Sequence, residues 1–138
     1  MEKLNLVKPN FESLPNNTEA EQAVLGCMLI DVEAVPKAMH HLKEDSFYKT
    51  ENGIIFTHMM KLFEDNNSID TVTIIDSLKK DGQLDVVGGA YYITGLSSEA
   101  PSAANVEYYA QIVKNKAILR TIISTAVKMS TTAYDGKD

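Results

Sequence analysis

At 138 residues, 44% hydrophobic and 23% charged, the chain has the composition of an ordinary soluble globular protein and can bury one real core. Its single cysteine, Cys27, excludes an internal disulfide and fits a reducing compartment. The formal charge of −6 is uneven: residues 1–99 carry 16 acidic and 8 basic side chains, whereas residues 100–138 carry 3 and 5. An acidic body of that kind repels a duplex and argues against direct DNA binding by this domain.

Residues 1–15 show no periodicity and read as a flexible N-terminal arm, with no secretory h-region after Met1. Thr18 and Glu21 then fit a capping box, Thr18 accepting from the Glu21 N–H and the Glu21 side chain reaching back. The helix it opens, over about 19–30, gathers Ala20, Ala23, Val24, Cys27, Met28 and Ile30 near one side, with Leu25 and Leu29 widening the stripe. Its apolar run VLGCMLI (24–30) is far too short to span a membrane, so a cytoplasmic location is expected. Asp31 reads as the cap of a shorter helix that carries Pro36 early and runs to about His41. DSFY (45–48) is a turn whose two aromatics should anchor it to the core.

A third helix over about 51–65 has Ile54, Ile55, His58, Met59, Leu62 and Phe63 at helical spacing and stops at the polar cluster DNNS (65–68). Asp70 caps a fourth over about 71–81, with Val72, Ile75 and Leu78 expected inward and Gly82 as its C′ residue. Gly88-Gly89 breaks the chain before a short helical segment over 90–96. The β-branched run VTII (72–75) has helical spacing and an Asp cap, and no alternating segment has a hairpin partner. All-α is the expected class.

The last helix should be the longest. Pro101 and Ser102 break what precedes, Asn105 is a candidate N-cap, and residues 106–134 contain neither Gly nor Pro, enough for a rod of about 45 Å. One stripe runs through Val106, Tyr109, Ala110, Val113 and Ala117, then turns polar at Arg120 and Ser124; it suits docking on the body. A second gathers Ile112, Leu119, Ile122, Ile123, Ala126, Met129 and Ala133, mainly where the body should have ended. Lys114, Lys116, Arg120 and Lys128 lie on the same rod, and residues 108–134 hold no acid. Either the rod is the centre of a bundle, or its distal part projects and meets another chain; its length favours projection.

Chemistry-bearing motifs are missing. No G-x-x-x-x-G-K-[ST] loop occurs, and Gly88-Gly89 suits a tight turn better than a phosphate cradle. His40, His41 and His58 have no metal-ligand spacing, and His58 on an apolar stripe reads as a satisfied core histidine. Cys27 reads as core packing. Asp70, Asp31 and Glu21 are explained as caps, leaving no carboxylate pair for acid–base work. No catalytic residue and no metal site is expected; the chain reads as a binding and assembly module.

Five segments in order then carry a resemblance: EAEQAVLG (19–26), DSFY (45–48), IDTVT (69–73), GGAYYI (88–93) and PSAANVEYYAQIV (101–113). Together the set resembles the N-terminal domain of the DnaB-type replicative DNA helicases. The resemblance implies a compact helical head over 16–100, then a hairpin arm over 101–138, the first arm of a helical hairpin. It further implies a hexameric helicase that unwinds duplex DNA at the fork, with ATP and Mg used by a RecA-like domain beyond this chain and DNA met only through that domain. The expectation is a piece that stops at the hairpin tip TAYDGKD (132–138), before the return helix, and uses no cofactor itself. Expected partners are other copies of the chain, as dimers within the ring, a DnaG-type primase and a helicase loader. Tyr92, Arg120, Ile123 and Met129 are the expected partner-binding residues, with a core position for Tyr92 as the competing reading. A loader or adaptor sharing the head fold, and a small module binding DNA through the basic segment 114–128, are the alternative functions.

Overall fold

The computed structural model describes residues 13–136. The expected arm lies outside the described residues up to position 12, as do the last two positions of the chain. Among the described residues there is no strand, and the α-helices are α1 (Thr18–Ile30), α2 (Ala34–His41), α3 (Thr50–Glu64), α4 (Thr71–Lys80), α5 (Gly89–Ser98) and α6 (Val106–Asp135). Short 3-10 turns, Glu44–Ser46 and Ala103–Asn105, lead into α3 and α6.

Helix α1 is the axis of the body. Val24, Leu25, Cys27 and Met28 are wholly buried and Leu29 nearly so, which covers the helix almost all round, as expected of a core helix. It packs against α6, α5, α2 and α3. Its start differs from the expected capping box. The N-cap is Asn17, whose side chain accepts from the Ala20 N–H at 2.9 Å. Glu21 turns inward, 1% exposed, and takes no part in the cap. Asp31 accepts from the Glu33 N–H at 2.9 Å, which shapes the turn into α2.

Helix α4 shows the expected Asp70 cap with a reciprocal bond: Asp70 Oδ1 accepts from the Thr73 N–H and Thr73 Oγ1 from the Asp70 N–H, both at 2.9 Å. Gly82, φ +69°, ends the segment as expected. The inward face is rotated from the one expected. Ile74 and Leu78 are fully buried, Ile75 is half-buried, and Val72 is exposed. The reason is that α4 packs chiefly against α3 and α5, so a narrow stripe suffices. Replacing Asp70 by Ala should lower stability by about 1 kcal/mol, read as a shift in the urea midpoint without a change of slope.

His58, on α3, is buried and satisfied. Its Nδ1 lies 2.8 Å from Ser77 Oγ, and its Nε2 lies 3.1 Å from Gln83 Oε1 and 3.3 Å from Asp81 Oδ2. Cys27 is core, as expected; burial, with a smaller contribution from Asp31, pushes its thiol pKa up. At the start of α6 the Asn105 side chain makes no capping bond; the 3-10 turn feeds the helix instead.

Candidate protein-interaction surfaces

Helix α6 divides near residue 120. Val106, Ala110 and Val113 are buried against the body, and Tyr109, Ile112 and Ala117 are partly covered. Beyond that, every residue from 121 to 136 is exposed. The docking stripe is therefore the one read from the sequence, and the free length is about 15 residues, or roughly 22 Å of bare helix. Gly136, φ +66°, takes the left-handed C-cap conformation.

Apolar side chains stand exposed along this rod among polar ones such as Ser124, Thr125 and Lys128. Leu119 is 43% exposed, Ile122 58%, Ile123 39% and Met129 68%, all of them off the docking stripe. Val127 and Tyr134 extend the apolar surface. Between the rod and the body runs a groove lined by Leu14, Lys43, Lys114, Ile118, Ile122 and Lys128. An open groove that mixes apolar side chains with lysines and hydroxyls suits an amphipathic protein segment better than a small ligand.

A second groove lies between α1 and α5, lined by Gln22, Ala23, Tyr91, Tyr92, Leu96 and Glu99. Tyr91 stands almost free in solvent, 92% exposed. Tyr92 is half-buried, and its hydroxyl donates to Asn52 Oδ1 at 2.6 Å and lies 3.4 Å from Gln22 Nε2. Burial pushes its pKa up, with the bond from Gln22 and the bond to Asn52 pulling the other way and Glu51 and Glu21 adding to the rise. Of the two neighbouring tyrosines it is thus Tyr92 that packs inward, while its ring still lines the groove.

Asn52 leads to a site that reading the sequence missed. Glu21, in α1, accepts from the Tyr48 N–H at 2.7 Å, from the Lys49 N–H at 3.3 Å and from Asn52 Nδ2 at 3.0 Å. Lys49 is the N-cap of α3 and offers no capping side chain of its own. The carboxylate of α1 thus caps α3 from outside, where the positive end of the helix dipole favours an anion. The signal was present: Glu21 stands one turn before Val24 and Leu25, on a face that is otherwise apolar.

Arg120 is also engaged within the chain. Its Nη1 donates to the Pro15 carbonyl and its Nη2 to the Ser46 carbonyl, both at 2.8 Å, and the guanidinium lies 5.6 Å from the centroid of the Tyr48 ring. Of the four expected partner residues, Ile123 and Met129 present free side chains on the rod, whereas the polar atoms of Arg120 and Tyr92 are taken up by the chain itself. The structure does not bring all four into one patch: three lie along α6 and Tyr92 lies on α5. Among the described residues no group of three or more His, Cys, Asp or Glu could hold a metal ion, and no helix is long and apolar enough to cross a membrane.

Comparison with known proteins agrees with this architecture. Residues 13–115 match the sequence profile of the DnaB-like helicase N terminal domain. The chain is 40% identical over 121 residues to the replicative DNA helicase DnaB of Rhodothermus marinus, covering 88% of this chain and 13% of that protein. It is 39% identical over 124 residues to the replicative DNA helicase DnaC of Bacillus subtilis (strain 168), covering 90% of this chain and 27% of the relative. It therefore spans only a minor part of the length of these relatives. The crystal structure of the N-terminal domain of DnaB helicase from Mycobacterium tuberculosis superposes with a TM-score of 0.88 at 33% identity, covering 90% of this chain and 89% of that one. The N-terminal domain of DnaB helicase from Helicobacter pylori, described with its interactions with primase, shares the fold with a TM-score of 0.72 at 24% identity, covering 83% of this chain and 89% of that one. With an all-helical body, a long projecting last helix and this match over most of its length, the chain belongs to the family of DnaB-like helicase N-terminal domains.

Proposed function

We propose that this domain is the assembly and primase-docking unit of a hexameric replicative DNA helicase that unwinds duplex DNA at the replication fork. The observation that carries the reading is the bare apolar rod, with Ile122, Ile123 and Met129 exposed on a helix that leaves its own body behind. An apolar stripe of this kind on a soluble protein marks a surface meant for another protein. A rod without acids over residues 108–134 suits partners with acidic faces, and the acidic body of a second copy is one such surface. Helix-in-groove contact with other subunits, with a DnaG-type primase and with a loader uses the same physics.

In this reading the domain is non-catalytic, works in the cytoplasm, and leaves ATP hydrolysis with Mg and DNA contact to another domain of the helicase. Sedimentation of the domain alone, and with the C-terminal domain of a primase, tests it. A complex in the second experiment supports docking; monomers that ignore the primase domain defeat it, and ATPase activity above background defeats the non-catalytic assignment. Ile123→Asp and Met129→Asp should leave helical content unchanged by circular dichroism and weaken self-association or primase binding by about tenfold or more, because a charge placed in a desolvated contact is left unpaired. A loss of helicity would show those side chains to be structural.

A further inference from the structure

The two expected partner residues whose polar atoms are occupied sit at opposite ends of one set of contacts. The Tyr92 hydroxyl donates to Asn52 Oδ1, Asn52 Nδ2 donates to Glu21, and the Glu21 carboxylate accepts from the N–H groups of Tyr48 and Lys49. Arg120 grips the same turn from the other side, through the Ser46 carbonyl and the Tyr48 ring, while its second arm holds the Pro15 carbonyl. Residues 46–49 are thus held by an anion on their N–H groups and by a cation on their carbonyl and ring.

We propose that this double grip is a clasp that sets the direction of the rod relative to the body, with Tyr92, Glu21 and Arg120 as positioning residues that affect docking without touching the partner. Arg120 is the last residue of α6 that is not exposed, so the direction of the free length beyond it is settled at or before that point. Over a free length of about 22 Å, a tilt of 10° moves the tip by roughly 4 Å, enough to spoil a packed interface. The planar guanidinium fork is suited to holding carbonyls of two separate segments at once; an ammonium is not.

Pulsed electron spin resonance between nitroxides at Ser68 and Thr131, both exposed, measures the direction of the rod in a background where buried Cys27 is replaced by Ala. The parent should give one narrow distance distribution. Arg120→Ala and Glu21→Gln should each widen it at least twofold, although Glu21 makes its hydrogen bonds to Tyr48, Lys49 and Asn52 and not to the rod. Tyr92→Phe should widen it less, Arg120→Lys should fall between Ala and the parent, and Ile123→Ala, outside the clasp, should match the parent. Tyr92→Phe keeps the ring and the fold, so it carries the test if Glu21→Gln does not fold. Folded Arg120→Ala and Tyr92→Phe proteins with a lowered Tm but the parent's width and centre would assign these residues to stability alone and overturn the clasp. Because the measurement needs no partner, its outcome is independent of whether the rod binds primase.

Discussion

Glu21→Ala should destabilise the domain by about 4 kcal/mol and lower Tm by roughly 10–20 °C, the largest effect expected of any surface-neutral change in charge here. The carboxylate is 1% exposed and accepts three bonds, two from backbone N–H groups at the start of α3 and one from Asn52. Truncation leaves the buried Asn52 amide and two part-buried backbone N–H groups without this acceptor, and an unpaired buried group costs about 1–3 kcal/mol. Glu21→Gln should lose about half as much. Its amide keeps the shape but turns a donor toward donors. Thermal and urea unfolding of the two variants check this, with exposed Glu19, on the same helix, as the control: Glu19→Ala should leave the transition where it is.

The same residue shows where reading the sequence stops. Thr18 and Glu21 have the spacing of a capping box, and local spacing is all that a sequence displays. The structure uses Asn17 for the cap and sends Glu21 across the core to cap a helix that begins 29 positions later in the chain, at Thr50. Nothing in the spacing of α1 encodes that partner; only the residue's place on an apolar face does. Val72 is a similar case. Helical spacing puts it on one face with Ile75, yet α4 is covered on one narrow side only, and the packing selects Ile74 and Leu78. Where a helix meets many neighbours, as α1 does, most apolar positions are buried; the exception is Ile30, read onto the buried side, which is 49% exposed at the end of the helix.

The rod was legible for a different reason. A run from 106 to 134 without Gly or Pro constrains length directly, and a body of this size cannot cover about 45 Å of helix. The two stripes separated with one exception: Val106, Ala110 and Val113 pack inward and Leu119, Ile122, Ile123 and Met129 stand exposed, but Ile112, read into the outer stripe, is partly buried against the body. Arg120 was legible as the point where the docking stripe turns polar. That its guanidinium would reach back to Pro15 and Ser46 was not, because both contacts are with backbone carbonyls, which carry no signature in side-chain identity. Ile123 and Met129 are thus close to Arg120 in sequence but differ from it in what they touch.

Gly26→Ala should destabilise the fold by about 3 kcal/mol even though alanine is the better helix former by about 1 kcal/mol. A β-carbon at position 26 would stand 2.4 Å from the Leu96 carbonyl oxygen and 2.9 Å from the Ala100 β-carbon. The first obstacle is backbone, so no rotamer change relieves it; α1 and the end of α5 must move apart, and the floor of the α1/α5 groove moves with them. Gly95 supplies the contrast. It lies inside α5, and a β-carbon there would meet nothing within 4 Å. Gly95→Ala should therefore stabilise by about 0.5–1 kcal/mol, chiefly by restricting the unfolded chain. The two variants carry the same chemical change in two helices that pack on each other, so urea midpoints moving in opposite directions would separate close approach from helix propensity as the reason for glycine at position 26. Midpoints moving upward in both would show that α1 and α5 do not meet as closely as Gly26 allows.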